Sequence, residues 1–251
     1  MYGNEKQRMS AIILAAGKGK RMNSDVAKVL HQLCGKPLLT YSVDAARTLN
    51  MEKIVVIIGH QASLVREAFT DEGLIFVEQR EQLGTGHAVL QARDVFRSYD
   101  GSILILCGDV PMLSISTIRA LLEVHRLEKS VVTVLTTVLE DPSGYGRVIR
   151  EGDAGGISRI VEEKDASPDE RKIGEINTGI YVVESGFLFS AVCDIGNENI
   201  QKEYYLTDIV GIASLKGLKT RAFITADSYE AMGINTPDDL KRASYRMMTC
   251  K

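Results

Sequence analysis

Between Lys18 and Lys28 stand four cations (Lys18, Lys20, Arg21 and Lys28) and one anion, Asp25, a local charge of +3 in a chain whose net charge is −3. The cations follow Ala15-Ala16-Gly17-Lys18-Gly19, where no bulky side chain shields the backbone, and that run follows the apolar Ile12-Ile13-Leu14. Bare N–H groups beside concentrated positive charge suit a phosphate group. The spacing excludes two common phosphate loops. A P-loop needs Gly-x-x-x-x-Gly-Lys followed by Ser or Thr, and the dinucleotide fingerprint needs a third glycine where Met22 stands. A plainer alternative stays open on this stretch alone: Gly17 and Gly19 turn the chain and the cations are solvated.

Two further stretches carry polar groups with a chemical use. Gln79 offers an amide that can donate to and accept from the edge of a pyrimidine. In Leu83-Gly84-Thr85-Gly86-His87, Gly84 leaves the backbone open to close approach and Thr85 adds a hydroxyl. A glycine-rich turn leading into the next helix would explain the same string, and His87, at that helix start, is expected to do structural work. Asp109, in Gly108-Asp109-Val110-Pro111, follows the apolar Ile103-Leu104-Ile105-Leu106. A hard divalent ion such as Mg2+ takes one or two carboxylates and completes its shell with substrate phosphate oxygens, so one Asp at a strand end suffices as an anchor. The competing role is a cap for a helix starting near Ser114.

The elements that must hold these residues are legible in the hydropathy. Ile12 to Leu14, Ile54 to Ile58, Leu74 to Val77 and Ile103 to Leu106 are apolar runs of strand length. Helical spacing appears after Pro37 (Leu39, Val43, Ala46, Leu49), from about Ser63 to Phe69, from Ala88 to Phe96, and at Ile118, Leu121, Leu122 and His125. Strongly apolar strands alternating with helices predict an α/β fold, a mostly parallel sheet flanked by helices. In such sheets ligands gather beyond the carboxyl ends of the strands, where the Gly17–Lys28 stretch, the Gln79–His87 stretch and Asp109 all fall. After a strand at Val131 to Leu139, short alternating segments and turns over residues 141 to 184 predict antiparallel hairpins beside the sheet. A helix at Tyr205, Ile209, Ile212 and Ala213, stopped by Gly217, a strand at Ala222 to Ile224, and a last helix from Thr236-Pro237 to about Met248 complete the chain.

With 45% hydrophobic and 25% charged residues over 251 positions, the chain can bury a substantial core, which excludes a disordered class. No apolar run approaches the roughly 20 residues of a membrane span. Met1 to Arg8 is polar, without the apolar region of a signal peptide, and Met9 reads as a second start. Cys34, Cys107, Cys193 and Cys250 are scattered without Cys-x-x-Cys spacing, so neither a disulfide framework nor zinc is indicated, and the cytoplasm is the simplest compartment. Slight net acidity, with no basic face beyond the opening loop, argues against nucleic acid as a partner.

A strand, Gly-x-Gly-x-Arg-Met and a downstream Lys resemble the signature of sugar-nucleotidyltransferases. Gln-Leu-Gly-Thr-Gly-His-Ala, from Gln82 to Ala88, resembles the uracil-recognition loop of bacterial N-acetylglucosamine-1-phosphate uridyltransferases. The likeness runs from about Ala11 to Leu240. It departs from the commonest form at Lys20, where Thr or Ser is usual, and at Ala27, where Pro usually precedes the Lys; neither change removes a charge. The resemblance implies a Rossmann-like fold of the nucleotide-diphospho-sugar transferase type, with a polar tail over 1–9 and one domain over 10–251. Within it, 10–140 would bind nucleotide, 141–200 would form a smaller antiparallel acceptor-binding lobe, and 201–251 would return to the main sheet.

The resemblance also implies roles. Leu14, Ala15, Ala16, Gly17, Gly19, Lys28, Gln79, Gly84 and Thr85 would bind the nucleotide, with Arg21 and Lys28 acting on its phosphates as catalytic residues. Asp109 and Asn235 would hold Mg2+, although a turn residue before a helix cap is the stronger plain reading of Asn235. Gly146 in Gly144-Tyr145-Gly146-Arg147, Glu162 in Val161-Glu162-Glu163, and Asn177 in Glu175-Ile176-Asn177-Thr178-Gly179 would hold a sugar phosphate. Tyr204-Tyr205-Leu206-Thr207-Asp208 also matches a family string, and its aromatics are expected to pack the returning helix into the core. The implied reaction is Mg-dependent uridylyl transfer from UTP to N-acetylglucosamine 1-phosphate, a cell-wall precursor step. The alternatives are another sugar- or alditol-phosphate acceptor, or a non-catalytic regulator that binds a nucleotide-sugar. Family members commonly continue into a β-helix of hexapeptide repeats that carries acetyl transfer. No such repeat occurs in these 251 residues, so that activity is not expected of them.

Overall fold

The apolar runs form the strands of one mixed sheet in the computed structural model, which describes residues 8–70, 73–150 and 156–249. In chain order the elements are β1 (Met9–Ala15), a short hairpin of β2 (Gln32–Leu33) and β3 (Lys36–Pro37), α1 (Leu38–Thr48), β4 (Ile54–Ile58), α2 (Ala62–Ala68), β5 (Leu74–Glu78), α3 (Thr85–Leu90), β6 (Ser102–Cys107) and α4 (Ile115–Glu128). There follow β7 (Val132–Val138), β8 (Arg147–Ile149), β9 (Arg159–Val161), β10 (Glu175–Glu184), α5 (Ser185–Asp194), α6 (Asp208–Leu215), β11 (Thr220–Ile224) and α7 (Pro237–Thr249). The sheet order is β11-β7-β10-β6-β1-β4-β5. Strands β6, β1, β4 and β5 are parallel, as are β7 and β11, whereas β10 runs antiparallel to both β6 and β7.

Alternation along each strand divides the apolar side chains between two layers. Ile12, Val55, Ile57, Ile103, Ile105, Tyr181 and Val183 meet Val89 of α3, Leu188 and Val192 of α5 and Ile209 of α6. Ile13, Val56, Ile58, Leu104, Leu106, Ile180 and Val182 meet Leu39 and Val43 of α1, Val65 of α2 and Ile118 and Leu121 of α4. At about 1.5–3 kcal/mol for each fully buried aliphatic side chain, this two-sided burial is the main stabilising term. A smaller cluster of Leu33, Leu38, Ile234 and Ala243 pins α7 and the loop before it to the β2–β3 hairpin. The segment that carries Asn235 is thus held by core packing.

The mostly parallel sheet with helices on both faces is the expected one, but residues 141–200 depart from expectation. Only β8 and β9 form the small antiparallel annex. β10 enters the main sheet, and α5, which the hydropathy reading did not assign, packs against it. β10 is hard to see in sequence because its apolar half, Ile180 to Val183, follows a polar half at the rim of the sheet, with a register shift between Asn177 and Tyr181. The segment Ala88–Phe96, expected as one helix, is the end of α3 followed by a 3-10 turn at Arg93–Phe96, where Ala92 and Val95 bond three residues back. Tyr205 precedes α6 and lies outside it. At the N-terminus, Met9 already belongs to β1, and the Arg8 carbonyl accepts from the Ser102 N–H at 3.0 Å, which shortens the expected tail; residues 1–7 and Cys250 lie outside the described residues. Among the described residues no helix is long and apolar enough to cross a membrane.

Candidate active site

The chain leaves β1 through the small-residue loop, with Ala15 and Ala16 buried and Gly17 and Lys18 exposed. The Leu14 carbonyl accepts from the Gly108 N–H at 2.9 Å, tying this loop to the one that carries Asp109. Gly19 is left-handed, with φ 59°, and a Cβ there would stand 2.6 Å from the Cβ of Lys28. Glycine is what lets the Lys28 stem lie across the loop. Met22, in place of a third glycine, is buried. Ala27 sits at φ −51° and ψ 133°, a conformation proline adopts, and its N–H reaches no acceptor among the described residues. Ala27→Pro is therefore expected to stabilise the fold by about 0.4–1 kcal/mol, read as a higher Tm; a lower Tm would contradict the backbone argument.

Four side chains from three separate loops meet here. Lys28 Nζ donates to Asp109 Oδ2 and, at 2.6 Å, to Asn235 Oδ1, and Arg21 Nη2 donates to the same Asn235 oxygen at 2.9 Å. The Lys28 and Asp109 side chains are only 12% and 23% exposed, so solvent screens the pair weakly. Asn235 is held by its own turn: its Nδ2 donates to the Gly233 carbonyl at 3.1 Å and its N–H to Asp239 Oδ2 at 3.0 Å. Asp239 also accepts from the Thr236 N–H at 2.9 Å and returns its own N–H to Thr236 Oγ1 at 3.1 Å, a reciprocal cap on α7. Burial alone would raise the Asp239 pKa, but Arg242 and these backbone N–H groups outweigh it and hold the carboxyl below its usual value. The cap of α4 is Ser114, whose Oγ accepts from the Thr117 N–H at 3.1 Å, so Asp109 is left for the cluster. Nearby Cys107 is no nucleophile: burial, then the charge of Asp109, pushes its thiol up to about 12.

The Gln79 loop is braced against the segment before α6. Gln79 is 3% exposed, and its Nε2 bonds the Gly84 carbonyl at 3.0 Å and His87 Nδ1 at 3.1 Å. His87 also meets Gln91, through Nε2 at 3.0 Å, so it acts as a structural link. Gly84 was expected to leave room for a base. On the side a Cβ would occupy, its close neighbour is the Tyr204 backbone, at 2.5 Å, and the Thr85 hydroxyl accepts from the Leu206 N–H at 3.0 Å. Neither β-branching nor extra volume fits at Gly84, whose φ is 114°.

Gly146, Glu162 and Asn177 form one row across three strands. Arg147 of β8 pairs with Val161 of β9 and with Ile176 of β10, both antiparallel, so the residues one step beyond each are lateral neighbours. The Asn177 N–H donates to the Gly146 carbonyl at 2.9 Å, and a Cβ on Gly146 would lie 3.5 Å from Glu162 Oε2. Because β10 is antiparallel to β6, this row lies at the carboxyl end of β6, where Cys107 Sγ donates to the Gly179 carbonyl at 3.4 Å. Burial raises the Glu162 pKa, against the hydrogen bond that Thr207 Oγ1 donates to it at 3.2 Å. Asn177 Oδ1 accepts from the Tyr181 hydroxyl at 3.0 Å.

Two participants escaped the sequence reading. Thr207 lies in a string whose aromatics drew attention, yet it is its hydroxyl that reaches Glu162. Tyr145 stands in the turn just before Gly146, and burial, then the charges of Asp239 and Asp109, push its phenol above the usual value, with Arg21 opposing. Its signal was there in the two flanking glycines.

Comparison with known proteins matches the family model described as the MobA-like NTP transferase domain to residues 11–151. The bifunctional protein GlmU of Geotalea daltonii is 48% identical over 237 residues, covering 94% of this chain and 52% of that protein. The bifunctional protein GlmU of Geobacter metallireducens is 50% identical over 236 residues, covering 94% and 49%. The chain thus spans about half the length of these curated relatives. A solved structure of UDP-glucose pyrophosphorylase complexed with UDP-glucose has a TM-score of 0.78 over 97% of this chain and 100% of that one, at 17% identity, which shows a shared fold. With more than half of its residues matched, from β1 to beyond the turn of Gly146, the chain belongs to the MobA-like NTP transferase domain family.

Proposed function

We propose that this nucleotidyltransferase domain moves the uridylyl group of UTP to N-acetylglucosamine 1-phosphate, giving UDP-N-acetylglucosamine and pyrophosphate, in the cytoplasm and as a cell-wall precursor step. The observation that carries the reading is the meeting of Arg21, Lys28, Asp109 and Asn235 beside the row of Gly146, Glu162 and Asn177. The GlmU relatives support the choice of reaction. A protein that only binds a nucleotide-sugar has no need for these four groups to converge.

The donor set fits a hard cation. Asp109 Oδ2 and Asn235 Oδ1 are two oxygens that already converge on one positive centre, the Lys28 ammonium. Among the described residues, no group of three or more His, Cys, Asp or Glu is placed to hold a metal with protein ligands alone. One carboxylate and one amide oxygen, leaving the remaining shell to phosphates, suit Mg2+ and would hold it here. Bound Mg2+ would supply charge neutralisation for the triphosphate.

In the reaction an ionised oxygen of the sugar phosphate attacks the α-phosphorus of UTP. A new P–O bond forms as the bond to the bridging oxygen breaks, and pyrophosphate leaves with that electron pair. No protein base or nucleophile is required. Arg21 and Lys28, drawn from Asn235 to the phosphates, offset charge on the α-phosphate and the leaving group, worth about 2.7–4 kcal/mol for one such donor. Glu162 accepts from sugar hydroxyls, and the backbone at Gly146 admits the ring closely.

Base selectivity follows from Gln79. Its Nε2 is engaged by Gly84 and His87, which leaves Oε1 to accept. The N3–H of uracil can donate to that oxygen; N3 of cytosine carries no proton and cannot. Gln79→Ala is expected to reduce discrimination between UTP and CTP by about tenfold or more. Equal discrimination in wild type and variant would refute the role of Gln79. Mass spectrometry of a reaction with UTP, N-acetylglucosamine 1-phosphate and Mg2+ is expected to show UDP-N-acetylglucosamine and pyrophosphate in equal amounts. No such product from folded protein would refute the reaction.

A further inference from the structure

Arg147 leads the fully buried side chains by volume, at 1% exposure, and no step of the reaction uses it. Its Nη1 donates to the Tyr145 carbonyl, and its Nε and Nη2 donate to the Arg171 carbonyl at 3.4 and 3.3 Å. Its Nη2 also stands 2.7 Å from Glu163 Oε2. This last contact is an ion pair off the N–H axis, because Oε2 accepts no hydrogen bond. A guanidinium survives out of water only where carboxylate and carbonyl oxygens replace its hydration. An apolar side chain of similar volume would fill the space with little loss of stability, but it could not fix three polar segments in one geometry.

The position of the pair in the register tells what it fixes. Arg147 pairs with Val161 and Ile176, so Gly146, Glu162 and Asn177 each lie one residue beyond its own strand position. The brace grips Tyr145 immediately before Gly146 and Glu163 immediately after Glu162, while Arg147 itself stands next to Gly146. Arg147 opens β8 directly after Gly146, and Glu163 lies in the turn that Glu162 begins after β9, so the charge pair ties together the two chain segments that carry Gly146 and Glu162. We propose that the buried Arg147–Glu163 pair is a positioning device for the sugar-phosphate subsite, setting the Gly146 turn through the Tyr145 carbonyl and setting the Glu162 carboxylate through its neighbour Glu163. This inference rests on the reading of Gly146, Glu162 and Asn177 as contacts to the acceptor.

The test uses Arg147→Met, which keeps most of the volume and removes the charge, with Arg147→Lys and Glu163→Gln beside it. Arg147→Met is expected to raise the KM for the sugar phosphate about tenfold or more, while the Kd of UTP, measured without acceptor, stays within about twofold. Arg147→Lys is expected to recover part of the loss, since an ammonium cannot reach all three partners as a fork does. Should Arg147→Met not fold, Glu163→Gln decides by the same split between acceptor KM and UTP Kd. Hydrogen exchange gives a readout independent of turnover: amides of residues 144–147 and 162–163 are expected to exchange about tenfold faster in the variant, with those of β1 and β6 unchanged. Unchanged acceptor KM and unchanged exchange in a folded variant would overturn the proposal. So would parallel losses of UTP and acceptor binding with faster exchange in β1 and β6, which mark a general loss of structure. If the wild type uses a different acceptor, the acceptor assignment fails, and the split read with that acceptor still decides the role of Arg147. If it turns over none, the exchange pattern decides.

Discussion

Lys28→Ala is expected to lower turnover by about a hundredfold or more in a protein that remains folded. Among the described residues the ammonium is the one group that hydrogen-bonds both the Asp109 and Asn235 side chains, and its stem is laid in place by the left-handed Gly19. Removing it deletes a charge that must move onto phosphate in the transition state, a loss that substrate concentration cannot restore. The fold tolerates the change because Lys28 lies in a short turn at the rim, outside the two apolar layers. A second consequence runs the other way. With the ammonium gone, the Asp109 and Asn235 oxygens no longer have a resident cation, so Mn2+ measured without nucleotide is expected to bind Lys28→Ala more tightly than wild type. Turnover near wild type in the folded variant would remove Lys28 from the mechanism.

Asp109→Ala is the companion case, also with an expected loss of about a hundredfold or more. Its side chain faces the cluster, while its backbone carbonyl accepts from the Ile234 N–H at 2.8 Å and would continue to do so. Fold and loop are therefore expected to persist while the carboxylate is lost. Here Mn2+ affinity is expected to fall, opposite to Lys28→Ala, so the two variants separate a phosphate-handling cation from a metal-holding anion. Equal Mn2+ binding in Asp109→Ala and wild type would count against the carboxylate as an anchor.

The parts of the site that could be read in advance were those written in neighbouring residues. A small-residue loop after an apolar run, a cluster of cations and an Asp at a strand end each announce themselves within a few positions. The convergence of these parts is not local. Arg21 and Asn235 are separated by 214 positions and Lys28 and Asn235 by 207, and no periodicity in either stretch records the meeting. β10 was missed for a related reason. Its polar rim half imitates a hairpin, and its place between β6 and β7 is set by pairing with strands distant in sequence. At Gly84 the need for a glycine was legible, but the neighbour that also enforces it, the Tyr204 backbone, was not. Nothing local in the sequence marks Arg147 as buried, because burial of a charge depends on the carbonyls of Tyr145 and Arg171 arriving together.

The most direct measurement is pyrophosphate release from the purified protein with UTP and Mg2+, given N-acetylglucosamine 1-phosphate, glucose 1-phosphate or no acceptor, each repeated with EDTA. The chemistry set out above predicts release that requires acceptor, stops with EDTA and is fastest with the amino-sugar phosphate. Equal rates with glucose 1-phosphate would contradict the assignment of Gly146, Glu162 and Asn177, and no release from folded protein that binds UTP would contradict uridylyl transfer itself.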